Sequence, residues 1–284
     1  MGNATPPCAF GGPIPASAGI GLRFPMLAEI ETCRPAVAGF EIHSENLFGL
    51  SAAVESRVDS LRADYWLSLH GVGLSLGSAD HLCWRHLEKL AAAVARYEPV
   101  LVSDHLSWNR VDGVSLPDLL PIPFTRESLD AVSRNVEAVQ MRLQREIAVE
   151  NISAYLRCDR DEMSEQEFVS ELVRRTGCKL LVDLNNLHVN ALNLGDDPMR
   201  FLDGIPVEAI VEYHLAGPSH ANGAWIDTHA APVPEAVWAL YEAALSRSSA
   251  MTIVEWDQDL PPLSTLVAEA ERAQSLLTAQ WLVR

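Results

Sequence analysis

The sequence predicts an α/β protein built as one (β/α)8 TIM barrel, and three observations carry that expectation. Eight short apolar runs recur, at residues 18–23, 38–45, 65–71, 99–107, 146–153, 179–184, 209–217 and 251–257. Helix-like patterns lie between most of them, and strand alternating with helix eight times describes a closed parallel barrel. Several runs end in His, Asp or Glu, and the C-terminal rim is where such a barrel carries its chemistry. At 284 residues one barrel is a better account than two small domains.

In chain order, residues 1–17 are rich in Pro, Gly and Ala and read as an irregular arm before a domain spanning 18–284. Residues preceding and including Leu61 form a first helix pattern. Residues 81–97 space their apolar side chains as a helix does. The stretch 125–143 opens Thr-Arg-Glu-Ser and continues amphipathically, and 164–176 opens Ser-Glu-Gln-Glu, a capping-box arrangement. Residues 232–247 and 262–278 are the last two helices expected. The segment 109–123 is long and carries several Pro residues, so it is expected to be an irregular loop lying across the barrel mouth. The glycine-rich run His70–Gly77 lacks the Lys of a phosphate-binding loop and reads as a tight turn leaving the third strand.

Composition narrows the function. The formal net charge is −17, from 38 acids against 21 bases. Neutralising a phosphate backbone needs clustered Lys and Arg, so nucleic acid is not an expected partner. No apolar run is long enough to span a bilayer, and the first residues lack the basic start and apolar core of a signal peptide. Five scattered cysteines without a Cys-x-x-Cys point to reduced thiols and a cytoplasmic setting, and argue against a thiolate metal site.

Six of the nine histidines fall at or just after expected strand ends: His43, His70, His105, His188, His214 and His229. The acids follow the same geography. Glu150, Asp183, Glu255 and Asp257 end strands, Asp227 precedes His229 by two, and Glu41 and Glu45 flank His43 at a spacing that puts all three on one face of a strand. A lone strand histidine is usually a satisfied core residue, and a lone acid there is often a helix cap. So many converging on one rim would repel, or lack water, unless cations neutralised them. Nitrogen and oxygen donors without sulfur suit iron, manganese or zinc. There are too many for one tetrahedral ion, so two or three metals are expected, with Glu150, Asp183 and Glu255 as bridges.

Nine ordered stretches carry a resemblance: Phe40–Asn46, Leu69–Ser78, Ser103–Trp108, Asp118–Pro123, Val149–Asn151, Leu181–Asn186, His214–Gly217, Ile226–His229 and Val254–Asp257. Together they resemble the multinuclear non-haem iron-dependent oxidases of ribosomal peptide modification, the family of methanobactin and 3-thiaglutamate synthesis. The resemblance implies a xylose-isomerase-like barrel holding two or three irons in a mixed Fe(II)/Fe(III) state, with dioxygen as co-substrate. It implies oxidation of a cysteine in a precursor peptide, presented by a small leader-binding partner protein in a heterodimer. By a more distant likeness to trinuclear zinc barrel endonucleases, the implied ligands are His70, His105, Glu150, Asp183, His214, Asp227, His229 and Glu255. Asn186 and His188 both stand where a further ligand is expected after Asp183. Asp257 and His43 are the expected catalytic groups, as proton-handling or supporting side chains. Where the family often carries His after His-Leu-Ala-Gly, this chain has Pro218, with His220 two residues on. Two other readings stand beside this one: a zinc- or manganese-dependent hydrolase or isomerase on the same barrel, and a non-catalytic metal-binding subunit.

Overall fold

The computed structural model describes residues 14–281. Most of the expected N-terminal arm, residues 1–13, therefore lies outside the described residues. Twelve strands run in order within them: β1 (Ala18–Gly21), β2 (Gly39–His43), β3 (Trp66–Gly71), β4 (Leu101–His105), β5 (Trp108–Val111), β6 (Val114–Leu120), β7 (Ala148–Glu150), β8 (Lys179–Asp183), β9 (Ile210–Leu215), β10 (Gly217–Ala221), β11 (Ala224–Ala231) and β12 (Met251–Val254). Eight of these, in the order β1-β12-β9-β8-β7-β4-β3-β2, close a parallel barrel. The helices outside it are α1 (Leu27–Cys33), α2 (Ala52–Arg62), α3 (Trp84–Tyr97), α4 (Arg126–Leu143), α5 (Glu165–Thr176), α6 (Leu184–Leu194), α7 (Pro198–Gly204), α8 (Glu235–Leu245) and α9 (Leu263–Trp281). No helix among the described residues is long and apolar enough to cross a membrane.

Local chemistry sets the helix boundaries. Ser164 caps α5 with Glu167 reaching back to its backbone, the capping box read from the sequence. Thr125 caps α4 by accepting from Ser128 N–H, and Asp183 caps α6 by accepting from Asn186 N–H. Helix α3 starts at Trp84, so His81 lies ahead of the helix in which it was expected.

Alternation decides what fills the barrel. Side chains two apart on a strand share a face, and Trp66, Leu101, Ala148, Leu181, Met251 and Ile253 form an apolar cluster separate from the strand–helix core. Each sits two or four residues before a polar side chain of the rim. The indole of Trp66 fits because Gly39 faces it: a Cβ at Gly39 would lie 2.0 Å from Trp66 Cδ2. Above this floor the interior turns polar.

The segment 109–123 is not irregular. β5 and β6 pair antiparallel as a hairpin, and β10 and β11 form a second one after β9. Asp112 and Gly113 turn the first with positive φ, as Asn222 and Gly223 turn the second. Local turn chemistry thus makes ordered ribbons of both segments, the first of which was expected to be an irregular loop.

Candidate metal centre

Strand register sets the rim. His43 lies beside His70, His105 beside Glu150, and Asp183 beside His214. All are buried except His43, which is partly exposed.

Three overlapping groups form. In the first, His70 Nε2 and His105 Nε2 both face Glu150 Oε2, at 3.1 and 3.2 Å. Their outer nitrogens are anchored, His70 Nδ1 to Ser103 Oγ at 2.8 Å and His105 Nδ1 to the Gly71 carbonyl at 2.9 Å. That anchoring leaves each Nε2 facing inward. In the second group, His214 Nδ1 is 2.8 Å from Glu255 Oε2 and 3.7 Å from Glu150 Oε1, with Asp183 close enough to share one ion. The third joins Asp183, Asp227 and His229, with His229 Nε2 2.7 Å from Asp227 Oδ1. Glu150 stands between the first two groups and Asp183 between the last two. Glu255 differs, because its Oε1 accepts from Arg23 at 3.2 Å.

The β10–β11 hairpin delivers Asp227 and His229. His229 takes φ +47° inside β11, a left-handed conformation costly for a non-glycine residue. Its carbonyl accepts from Asp257 N–H, and its Nδ1 bonds Asp257 Oδ2 at 2.9 Å.

Asn186 and His188 separate. Asn186 is buried at the start of α6, its amide bonded to the Asn151 carbonyl and its Oδ1 left without a partner. His188 is half-buried further along α6 and belongs to none of the metal-sized clusters among the described residues. It lies within the helix that follows β8 directly. Glu41, His43 and Glu45 do not share one face. β2 ends at His43 and a 3-10 turn carries Glu45 away to Val72 N–H and His86. Glu41 points into the barrel, accepting from Ser68 Oγ at 2.7 Å beside His214. Asp104 is likewise a structural group, receiving the amides of Leu74 and His105. His220 lies exposed on β10 against Trp225, away from the centre.

Two residues absent from the sequence reading belong here. Arg23, just past β1, is buried among the acids. Glu212 lies two before His214 and is wholly buried, with neither oxygen hydrogen-bonded. The one sequence signal for it is its inward parity with His214.

Electrostatics make the cluster hungry for positive charge. Burial alone would lower His70, but the neighbouring Glu150 and Glu41 carboxylates raise it to about 10. His214 and His229 are raised well above the ordinary range against burial, by Glu255 with Glu41 and by Asp227 with Glu255. Asp183 is pushed up by burial and by Asp227. Glu150 overcomes burial and stays at about 2, because His105 and His70 face it. His105 is lowered, chiefly by burial.

The donors fit metal ions. Asp183 Oδ2 and Asn186 Oδ1 are buried without hydrogen-bond partners, which is costly unless a cation faces them. The set is nitrogen and oxygen, suited to iron, manganese or zinc.

Fold and site together define a xylose-isomerase-like TIM barrel with a cluster of metal-type donors at its C-terminal mouth. A family model described as "RiPP precursor modification enzyme MbnB/TglH/ChrH" matches residues 17–278. The chain belongs to that family. A UPF0276 protein from Vibrio parahaemolyticus is 44% identical over 265 residues, covering 92% of each chain. Among solved structures, endonuclease IV from Thermus thermophilus aligns at TM-score 0.59 and 16% identity, covering 92% of this chain and 98% of that one. A xylose isomerase-like TIM barrel protein from Mycobacterium smegmatis, in complex with magnesium, aligns at TM-score 0.57 and 13% identity over 99% of both. At these identities the structural likenesses bear on fold alone.

Proposed function

We propose that this protein is an iron- and dioxygen-dependent oxidase that modifies a cysteine of a ribosomally made precursor peptide, working with a small leader-binding partner protein. The observation that carries the reading is the row of metal-sized donor groups His70/Glu150/His214, Asp183/His214/Glu255 and Asp183/Asp227/His229, with His105 beside Glu150, in a chain of a peptide-modifying family. Glu150, His70 and His105 would hold one ion; Glu150, His214, Glu255 and Asp183 a second; Asp183, Asp227, His229 and Asn186 a third. Iron bound there would supply one-electron chemistry with dioxygen and a place to hold a thiolate.

The chain's own residues would do the rest. The carboxylates fix spacing and balance the ions' charge, and the anchored imidazoles keep their geometry from loosening. His43 stands at the mouth within reach of Glu255 and Asp257. Burial and the Arg23 charge hold it down to about 4, so it is neutral at pH 7 and able to accept a hydrogen bond from an arriving thiol. Asp257 is engaged by Arg23 and His229, which suits it to orient His229 rather than to exchange protons with substrate.

A second reading uses the same donors with zinc or manganese to activate water or enolise a sugar. The nitrogen and oxygen donor set favours these ions as much as iron. A deciding experiment uses anaerobically purified protein, incubated with a candidate precursor peptide and leader-binding partner. Two or three irons per chain by elemental analysis and Mössbauer spectroscopy, with an oxygen-dependent mass change at cysteine, would support the oxidase. Turnover unaffected by removing oxygen, with zinc retained after iron-supplemented expression, would replace it with the second reading.

A further inference from the structure

Arg23 is the one guanidinium that reaches the donor cluster among the described residues. It is 7% exposed. Its Nη2 donates to Glu255 Oε1 at 3.2 Å and its Nε donates to Asp257 Oδ1. Both carboxylates turn their remaining oxygen to an imidazole: Glu255 Oε2 lies 2.8 Å from His214 Nδ1, and Asp257 Oδ2 lies 2.9 Å from His229 Nδ1. The space for the guanidinium is built in. A Cβ at Gly21 would lie 2.9 Å from Arg23 Nη1, so glycine on β1 keeps the fork in place.

We propose that Arg23 is the positioning residue of the metal centre, setting the second and third ion positions through two different carboxylates. With Oε1 engaged by Arg23, Glu255 would offer chiefly Oε2 to an ion at the His214 position. Holding Asp257 Oδ1 aims Asp257 Oδ2 at His229 Nδ1–H, which turns His229 Nε2 towards Asp227 and Asp183. A guanidinium suits this task because its donors form a rigid, permanently charged fork. An ammonium is a point charge and reaches one carboxylate well. The inference rests on the metal-centre reading proposed above and specifies which residue holds it in register.

Cobalt(II) is a direct probe, since its visible spectrum reports coordination. Titrating metal-free wild type, Arg23→Gln, Arg23→Lys and Asp257→Asn with Co(II) gives the number of sites and their affinities. Loss of an outer-sphere partner typically weakens metal binding by about 10- to 100-fold. Arg23→Gln is expected to lose that much at one or two positions, with an altered spectrum, while the His70/His105 position is unchanged. Arg23→Lys is expected to recover part of the loss. The double variant Arg23→Gln/Asp257→Asn is expected to lose less than the two single losses combined, because both act on His229. If Arg23→Gln fails to fold, folded Gly21→Ala displaces the guanidinium without removing it and should show the same loss. Wild-type stoichiometry and affinity within about twofold in either folded variant would overturn the inference. Wild type that binds no Co(II) would instead overturn the metal-centre reading itself, and this inference with it.

Discussion

Protons and metal ions compete for the same lone pairs in this cluster, so metal loading should be steeply dependent on pH. His70, His214 and His229 all hold their protons above the ordinary imidazole range in the metal-free protein. For His70 the value is about 10, roughly three units above pH 7, so clearing its nitrogen there costs about 4 kcal/mol at ~1.4 kcal/mol per unit. Filling the centre should release protons, the one His70 holds among them. Apparent affinity should then rise about tenfold per pH unit for each proton displaced. Anaerobic competition between the protein and a chelating dye for Zn(II), from about pH 6 to pH 8, gives the slope. Proton release into a weakly buffered solution counts the protons directly. A slope below one, with no protons released, would mean that the imidazoles do not face the ions and that the site is misassigned.

The same shift has a stability consequence. Folded His70 keeps its proton to about 10 against 6.5 for the free group, so its contribution is full below pH 6.5 and lost as pH rises towards 10. The Tm of the metal-free protein should fall across that window, and added metal should remove the fall; a flat profile without metal would contradict the ion pairing. Asn186→Ala should weaken binding at the Asp183/Asp227/His229 position, whereas His188→Ala should leave stoichiometry and affinity unchanged. Equal losses in a Co(II) titration would return His188 to the ligand set. Gly39→Ala should destabilise the fold by about 1–3 kcal/mol, since its Cβ would lie 2.0 Å from the Trp66 ring inside the barrel. Unchanged urea unfolding would show that the indole has room to move.

Much of this was readable in the chain because it depends on short spacings. Strand and helix have fixed periods, so eight apolar runs and the patterns between them announce the barrel, and a barrel's rim is known once its strands are. His70, His105, Glu150, Asp183 and His214 therefore stand where their positions in the runs placed them. Asp227 lies within β11 and Glu255 directly after β12, and both reach the cluster. Even the helix caps at Ser164 and Asp183 follow from local residues.

What escaped the sequence depends on closure. Arg23 and Glu255 are 232 residues apart and meet because β1 pairs with β12; nothing near Arg23 announces a carboxylate partner. Glu45 follows the strand alternation on paper, but one 3-10 turn after His43 sends it to another network. Asn186 and His188 are two residues apart, and a helix beginning at Leu184 turns one to the centre and the other away. His229 reaches its neighbours through a left-handed backbone held by Asp257. Periodicity is a property of neighbours in the chain and fixes which elements form, so composition and spacing alone determined the barrel and most of the side chains gathered at its rim. Which oxygen faces which nitrogen depends on register, closure and a few backbone angles, and those exist only once the barrel has closed.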